Sequence, residues 1–167
     1  MTKDQRQTTI IIILILMVLL AFLVQLLVFP AHAGAIAPGS VNNLSKTPGD
    51  VLTTSKVKIC HQKTSTIRNV PMKVKNQAYA NYGITRTTGW CATKGCEVDH
   101  LISLELGGSN SIKNLWPQSY AGKWNARVKD KLENRLHVLI CNGTLTPVQA
   151  QRAISHNWII AYNKYVR

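Results

Sequence analysis

Acidic residues are scarce in this chain. Asp and Glu together number seven against twenty Lys and Arg, which gives a net charge of +13. That balance excludes an evenly mixed surface. It points to an anionic partner: nucleic acid, anionic lipid or an anionic wall polymer, with solubility alone as the other use of such charge. Internal repeats are absent, so the chain is not a solenoid or an array. The four cysteines also lack the spacing of two paired zinc knuckles.

What is present begins with a long apolar run from Ile10 to Phe29, interrupted by Gln25. Lys3 and Arg6 precede it and Ala31-His32-Ala33 follows it. A basic start, an apolar run and an A-x-A site describe a secretory signal peptide over residues 1–33. A membrane anchor is the alternative, since about 20 apolar residues can span a bilayer. Both readings export the remainder, either as a periplasmic or secreted protein or as a domain anchored outside the cytoplasm. Cleavage after Ala33 leaves eighteen basic and six acidic residues, a net +12.

Cys60, Cys91, Cys96 and Cys141 all lie beyond this segment. An even count in an exported chain reads as disulfides, with three possible pairings. The favoured one joins Cys91 to Cys96 in a short loop and Cys60 to Cys141 as a long staple. A zinc site on Cys60, His61, Cys91 and Cys96 is the competing reading.

Residues 34–55 are rich in Gly, Pro, Ser, Asn and Thr, show no apolar period, and read as a flexible linker. A single domain over 56–167 follows. "VKICH" reads as a short strand, and Met72 to Tyr82 as a helix stopped by Gly83. Trp124, Val128, Leu132, Leu136 and Ile140 recur at helical spacing from about Lys123, ending before Asn142-Gly143. Arg127, Lys129, Asp130, Lys131, Glu133 and Arg135 between them suit a solvated face. Thr146, Pro147 and Gln149 form a capping box for a last helix, in which Ser155 marks a break. The aromatic residues on these stripes, Trp124, Trp158, Tyr162 and Tyr165, serve core packing.

The most informative stretch is "CEVDHLISLELGGSNSIKNLWPQSY", residues 96–120. "CEVDHLI" reads as a strand, Leu106-Gly107-Gly108-Ser109-Asn110 as a turn, and "NLWPQ" as a returning strand ended by Pro117. The helix from Lys123 follows directly. Asp99-His100, the Gly107-Gly108 turn and Asn114-Leu115, in this order, resemble the ββα-metal, or His-Me finger, motif of HNH nucleases. The wider frame, "DHLISLELGGS", "NLWPQ", "KDKLENRLH" and "TLTPVQAQ", is similar to small exported bacterial HNH-like proteins over residues 57–165.

The resemblance implies an α+β fold: a small ββα-metal core with additional packed helices, stapled by disulfides. It implies a metal-dependent endonuclease, a hydrolase of nucleic-acid phosphodiesters. His100 would be the general base, since a neutral imidazole can take a proton from water near pH 7. Asp99 would bind one divalent ion, Mg²⁺ or else Mn²⁺ or another transition metal, as hard ions prefer oxygen ligands. Asn114 would hold a nitrogen of the His100 ring.

The third HNH position falls on the following helix. Asn125 and His137 are twelve residues apart there, about 18 Å, so both cannot reach one ion. Asn125, nearer the strands, is the second metal ligand in this reading, and His137 is packed or solvent-facing. Because neighbours on a strand face opposite ways, Asp99 and His100 can share an ion only if the strand ends or bends between them. Glu97 faces away from the site, and Glu105 locks the loop through backbone hydrogen bonds.

Arg68, Lys94, Lys113, Lys123 and Arg127 are the leading phosphate contacts for DNA and for RNA, with Lys73, Lys75 and Arg86 beside them. No base-reading module accompanies the core, so little sequence preference is expected. The expected state is a monomer with no organic cofactor. The alternative is a non-catalytic protein of the same fold that binds nucleic acid or an anionic surface.

Overall fold

The computed structural model describes residues 37–167 and, in the N-terminal segment, residues 4, 5, 7 and 12–19. The Ala31-His32-Ala33 cleavage site and linker residues 34–36 lie outside the described residues. Residues 1–35 form one unit and 36–167 another. Residues 12–19 are helical. No helix among the described residues is long and apolar enough to cross a membrane.

The larger unit is α+β: helices α1 (Lys56–His61), α2 (Thr64–Ile67) and α3 (Met72–Asn81), strands β1 (Cys96–His100) and β2 (Leu115–Ser119), then α4 (Ala126–Cys141) and α5 (Pro147–Tyr165). β1 and β2 pair antiparallel, with Glu97 opposite Gln118, Asp99 opposite Trp116 and His100 opposite Leu115. The apolar stripes of the last two helices meet as their periods require. Leu132, Leu136 and Ile140 of α4 pack with Ala150, Ile154 and Trp158 of α5, and Ile59, Ile102 and Leu106 close the core.

"VKICH" is helical, not a strand. Alternation would bury Val57 and Ile59 together, but Val57 is 71% exposed and Ile59 only 4%. Ser55 caps this helix by accepting from the Lys58 amide. Residues 37–55 are not a tether either. Thr47 Oγ1 donates to the Leu115 carbonyl at 3.0 Å, Leu52 N to the Gly107 carbonyl at 2.8 Å, and Trp158 Nε1 to the Ser40 carbonyl at 2.8 Å. This segment is attached through backbone polar groups and the Thr47 hydroxyl, which leave no apolar period to read.

Three smaller features refine the expectations. Gly83 has φ 70° just beyond α3, as a left-handed cap requires. Pro117 lies inside β2 opposite Val98 rather than ending it. In a two-stranded sheet each strand has an outer edge, where a missing N–H costs no ladder bond. In α5, Thr146 and Gln149 form the capping box, but the break falls at Asn157 (φ −161°, ψ 99°), not Ser155. The Asn157 side chain accepts from the Ile159 and Ile160 amides, so it restarts the helix as an internal cap.

Both favoured disulfides are present. Cys60–Cys141 ties α1 to the end of α4 across 81 residues, and Cys91–Cys96 closes a five-residue separation onto the first residue of β1. With no free thiol left, the zinc reading of these cysteines is overturned. Replacing Cys60 and Cys141 by Ser should cost about 2–4 kcal/mol, because the long loop regains its freedom in the unfolded chain. Urea denaturation of the paired variant checks this.

Candidate functional site

The loop between the strands is built first. Gly107 has φ 84°, and a Cβ there would lie 2.3 Å from the Thr53 carbonyl oxygen. A Cβ on Gly108 would lie 1.8 Å from the Ile102 carbonyl oxygen. The Gly-Gly pair is therefore demanded by backbone approach on two sides. Asn114 fastens the loop from inside. Its Oδ1 accepts from the Ile102 amide at 2.9 Å, and its Nδ2 donates to the Ile102 and Ser109 carbonyls, each at 2.9 Å.

Asn114 thus spends its amide on the loop and does not hold the His100 ring. Asn110 does, from the same turn. Asn110 Nδ2 donates to the Ile67 carbonyl at 2.7 Å, which fixes its Oδ1 as the atom 3.0 Å from His100 Nε2. An amide oxygen only accepts, so Nε2 carries the proton and the lone pair of the neutral ring is on Nδ1. His100 is 2% exposed. Burial, outweighing the Asn110 bond and the Asp99 charge, holds the ring below its usual 6.5. It is neutral at pH 7.

Asp99 faces a different neighbour. Its Oδ2 accepts from Lys129 Nζ at 2.6 Å. The same ammonium donates to the His100 carbonyl at 2.8 Å and to Glu133 Oε1. All three donors of a fully buried lysine are thereby satisfied. Lys129 and Glu133, expected on a solvated face of α4, are instead a buried pair four residues apart. Burial opposes the charge on Lys129, but Asp99 and Glu133 outweigh it and hold the ammonium above its usual range. Burial, then the charge of Asp99, pushes Glu133 up to about 8 against the attraction of Lys129. The two shifts pull against each other: Lys129 is raised partly by an anionic Glu133, whereas a Glu133 at about 8 is largely protonated at pH 7. The ion pair that geometry and charge both support is Lys129 with Asp99, Glu133 accepting from the ammonium in either form.

These contacts decide whether a divalent ion fits the expected ligands. Asn125 is the N-cap of α4: its Oδ1 accepts from the Val128 amide at 3.2 Å and its Nδ2 donates to the Gly122 carbonyl at 2.8 Å. An ion on Asp99 Oδ2 would meet the Lys129 ammonium. The Asp99–Asn125 pair therefore does not fit a divalent ion as arranged. Among the described residues, no three His, Cys, Asp or Glu side chains are grouped to hold one. His137 is half-buried, with Nε2 3.2 Å from the Ile59 carbonyl oxygen.

Two clefts share Arg68, and the first borders β1. One, of about 350 Å³, is lined by Arg68, Lys75, Tyr79, Arg86 and Tyr120 around Glu97. The other, of about 310 Å³, is lined by Thr64, Ser103, Glu105, Asp130 and Glu133, and again by Arg68. Glu97 accepts from the Tyr120 hydroxyl at 2.9 Å, so it faces a cleft. Burial first, then Glu97, pushes the Tyr120 phenol up to about 12, which keeps it a donor. Glu105 makes no backbone bond of the kind expected; it lines the second cleft, where burial raises its carboxyl and that of Asp130. Arg127 lies over the Tyr120 ring at 5.8 Å. Lys94, Lys113 and Lys123 line neither cleft.

Sequence reasoning missed Asn110, Lys129 and Glu133. The turn carried Asn110 in plain view beside Gly107-Gly108, but a turn residue has an ordinary local use there. Lys129 and Glu133 had the signal of an i, i+4 pair, which is equally the signal of an exposed helix face. No family model, curated protein or solved structure matches this chain.

Proposed function

We propose that the protein hydrolyses phosphodiester bonds of nucleic acid, that β1, the loop, β2 and α4 form a ββα unit of the HNH type, and that the chain acts outside the cytoplasm. The observation that carries the activity is His100: a neutral imidazole whose Nε2 proton is held by Asn110, leaving the Nδ1 lone pair as acceptor. Arg68, whose charge bears on His100, supplies the nearby cation. In the reaction Nδ1 takes a proton from water as the water oxygen bonds to phosphorus. The P–O ester bond breaks, and the leaving oxygen takes a proton from solvent. Arg68 balances the charge gathering on the phosphate oxygens. Asp99 and Lys129 act on none of these atoms; they fix the end of β1 through the His100 carbonyl. The two disulfides are compatible with export.

The test is incubation of the full chain with plasmid and with RNA, in Mg²⁺, in Mn²⁺ and in EDTA. Nicked and linear plasmid is the expected result. Intact nucleic acid under every condition would overturn the reading. Cleavage surviving EDTA would place a metal outside the reaction. Cleavage abolished by EDTA would require ligands other than Asp99 with Asn125.

One set of observations favours binding without hydrolysis. His100 is almost wholly buried, and Asp99, Asn114 and Asn125 each have a structural bond. Retention of DNA without cleavage in the same experiment would select that reading.

A further inference from the structure

Eight cations were candidate phosphate contacts in the sequence, scattered along the chain. The fold gathers three of them. Arg68 follows α2, Lys75 lies within α3, and Arg86 follows α3, yet all three line the 350 Å³ cleft against β1. None forms an ion pair: among the described residues, the two ion pairs both belong to Lys129. Glu97 is the one acid in the lining. The Tyr120 hydroxyl occupies one of its oxygens, and burial favours its neutral form. Three converging cations with so little counter-charge repel one another, and a bound anion removes that repulsion.

The walls are shaped to receive a group rather than to meet a flat surface. Tyr79 and Tyr120 line the cleft together with Val98 and Cys96 of β1. The Tyr79 hydroxyl donates to the Cys96 carbonyl at 3.3 Å and faces the Arg86 guanidinium, which orients it. The volume falls within the range of small-ligand clefts, about 300–1,000 Å³. It is ample for a phosphate and its sugar. Arg68 also lines the second cleft and bears on His100.

We propose that the cleft between α3 and β1 is a phosphate subsite, holding a backbone phosphate of nucleic acid on Arg68, Lys75 and Arg86. This rests on the proposed action on nucleic acid. It adds where the strand lies: a phosphate here sits beside the one at His100, with Arg68 between the two positions.

The test is binding of a 12-nucleotide, fluorescein-labelled DNA with phosphorothioate linkages to the full chain, by anisotropy over a salt series. One lost phosphate contact on a single strand lowers the salt slope by about 0.7, or about fivefold in affinity at 100 mM salt. Lys75→Ala and Arg86→Ala should each show this loss. Lys131→Ala, which removes the same charge from an exposed position of α4, should change affinity by less than about twofold. Equal losses in all three variants, or none, overturn the subsite. Lys75 makes no side-chain hydrogen bond, so its replacement does not depend on the Tyr79 contact of Arg86. Phosphatidylglycerol vesicles that displace the DNA and rank the variants identically would reassign the cleft to a lipid headgroup and overturn the proposal. Wild-type chain that binds through the cleft but leaves natural DNA intact would refute hydrolysis while the subsite stands. Cleavage with no dependence on Lys75 or Arg86 would do the reverse.

Discussion

Lys129→Met should lower stability by about 3–5 kcal/mol, the cost of breaking a buried ion pair from one side. Methionine fills most of the same space, so packing changes little. What is lost is the ammonium that serves Asp99, Glu133 and the His100 carbonyl together. Asp99 is then a partly buried carboxylate without a partner. Adding Glu133→Leu to Lys129→Met should recover part of the loss, because it removes one of the stranded acids. Urea denaturation of the single and double variants measures both effects; a loss below about 1 kcal/mol for Lys129→Met would refute the ion pair as a structural centre. The pH dependence follows from Glu133. Its folded pKa, about 8, lies above its usual 4.5, so between these values the folded chain binds more protons than the unfolded one. Stability from this group is full below 4.5 and falls as pH rises towards 8, by at most about 1.4 kcal/mol per pH unit. Glu133→Gln keeps an oxygen for Lys129 and should flatten that decline.

His100→Ala should reduce cleavage by about 10²–10⁴-fold, the usual scale for loss of a general base. DNA binding should remain, since the phosphate contacts lie on other side chains. Full activity in this variant, measured beside a contaminating-nuclease control, would refute the mechanism. The acid limb of the wild-type pH–rate profile should fall below 6.5, because burial favours the neutral ring. Asn110→Asp tests how the ring is held. A carboxylate at 3.0 Å from Nε2 would favour the imidazolium, so the acid limb should move to higher pH. Asn114→Asp carries no such prediction for the profile, because its amide meets the loop and not the ring. That contrast separates a ring-positioning residue from a loop-fastening one.

Features that rest on side-chain period or local chemistry were legible in the sequence. α4 and α5 announce themselves by apolar residues at helical spacing, and Thr146-Pro147 by its cap. The even cysteine count predicted disulfides, and the pairing favoured among three possible ones is the pairing present. Asp99 and His100 stand at the end of β1, but their division of labour was not readable: alternation sends one to α4 and the other to the turn. Asn125 was read as a ligand without its nearer use, the N-cap, which an asparagine before a helix commonly has. Lys129 was misplaced because its burial depends on Asp99, thirty residues away. The segment before α1 was misread because its attachments are backbone groups and single polar side chains such as Thr47, which carry no apolar period.

The Cys60–Cys141 bond encloses His100, Asn110 and the lining of both clefts, from Thr64 onward. The chain between these cysteines is a covalent ring. A protease that cuts an exposed loop within it, such as 85–88, opens the ring without releasing a fragment. Both pieces stay in one molecule, each bearing part of the site, and their reassembly is unimolecular and independent of dilution. A single nick would thus leave the fold recoverable, although the cut bond stays cut; a second cut within the ring would release the intervening piece unless non-covalent contacts held it.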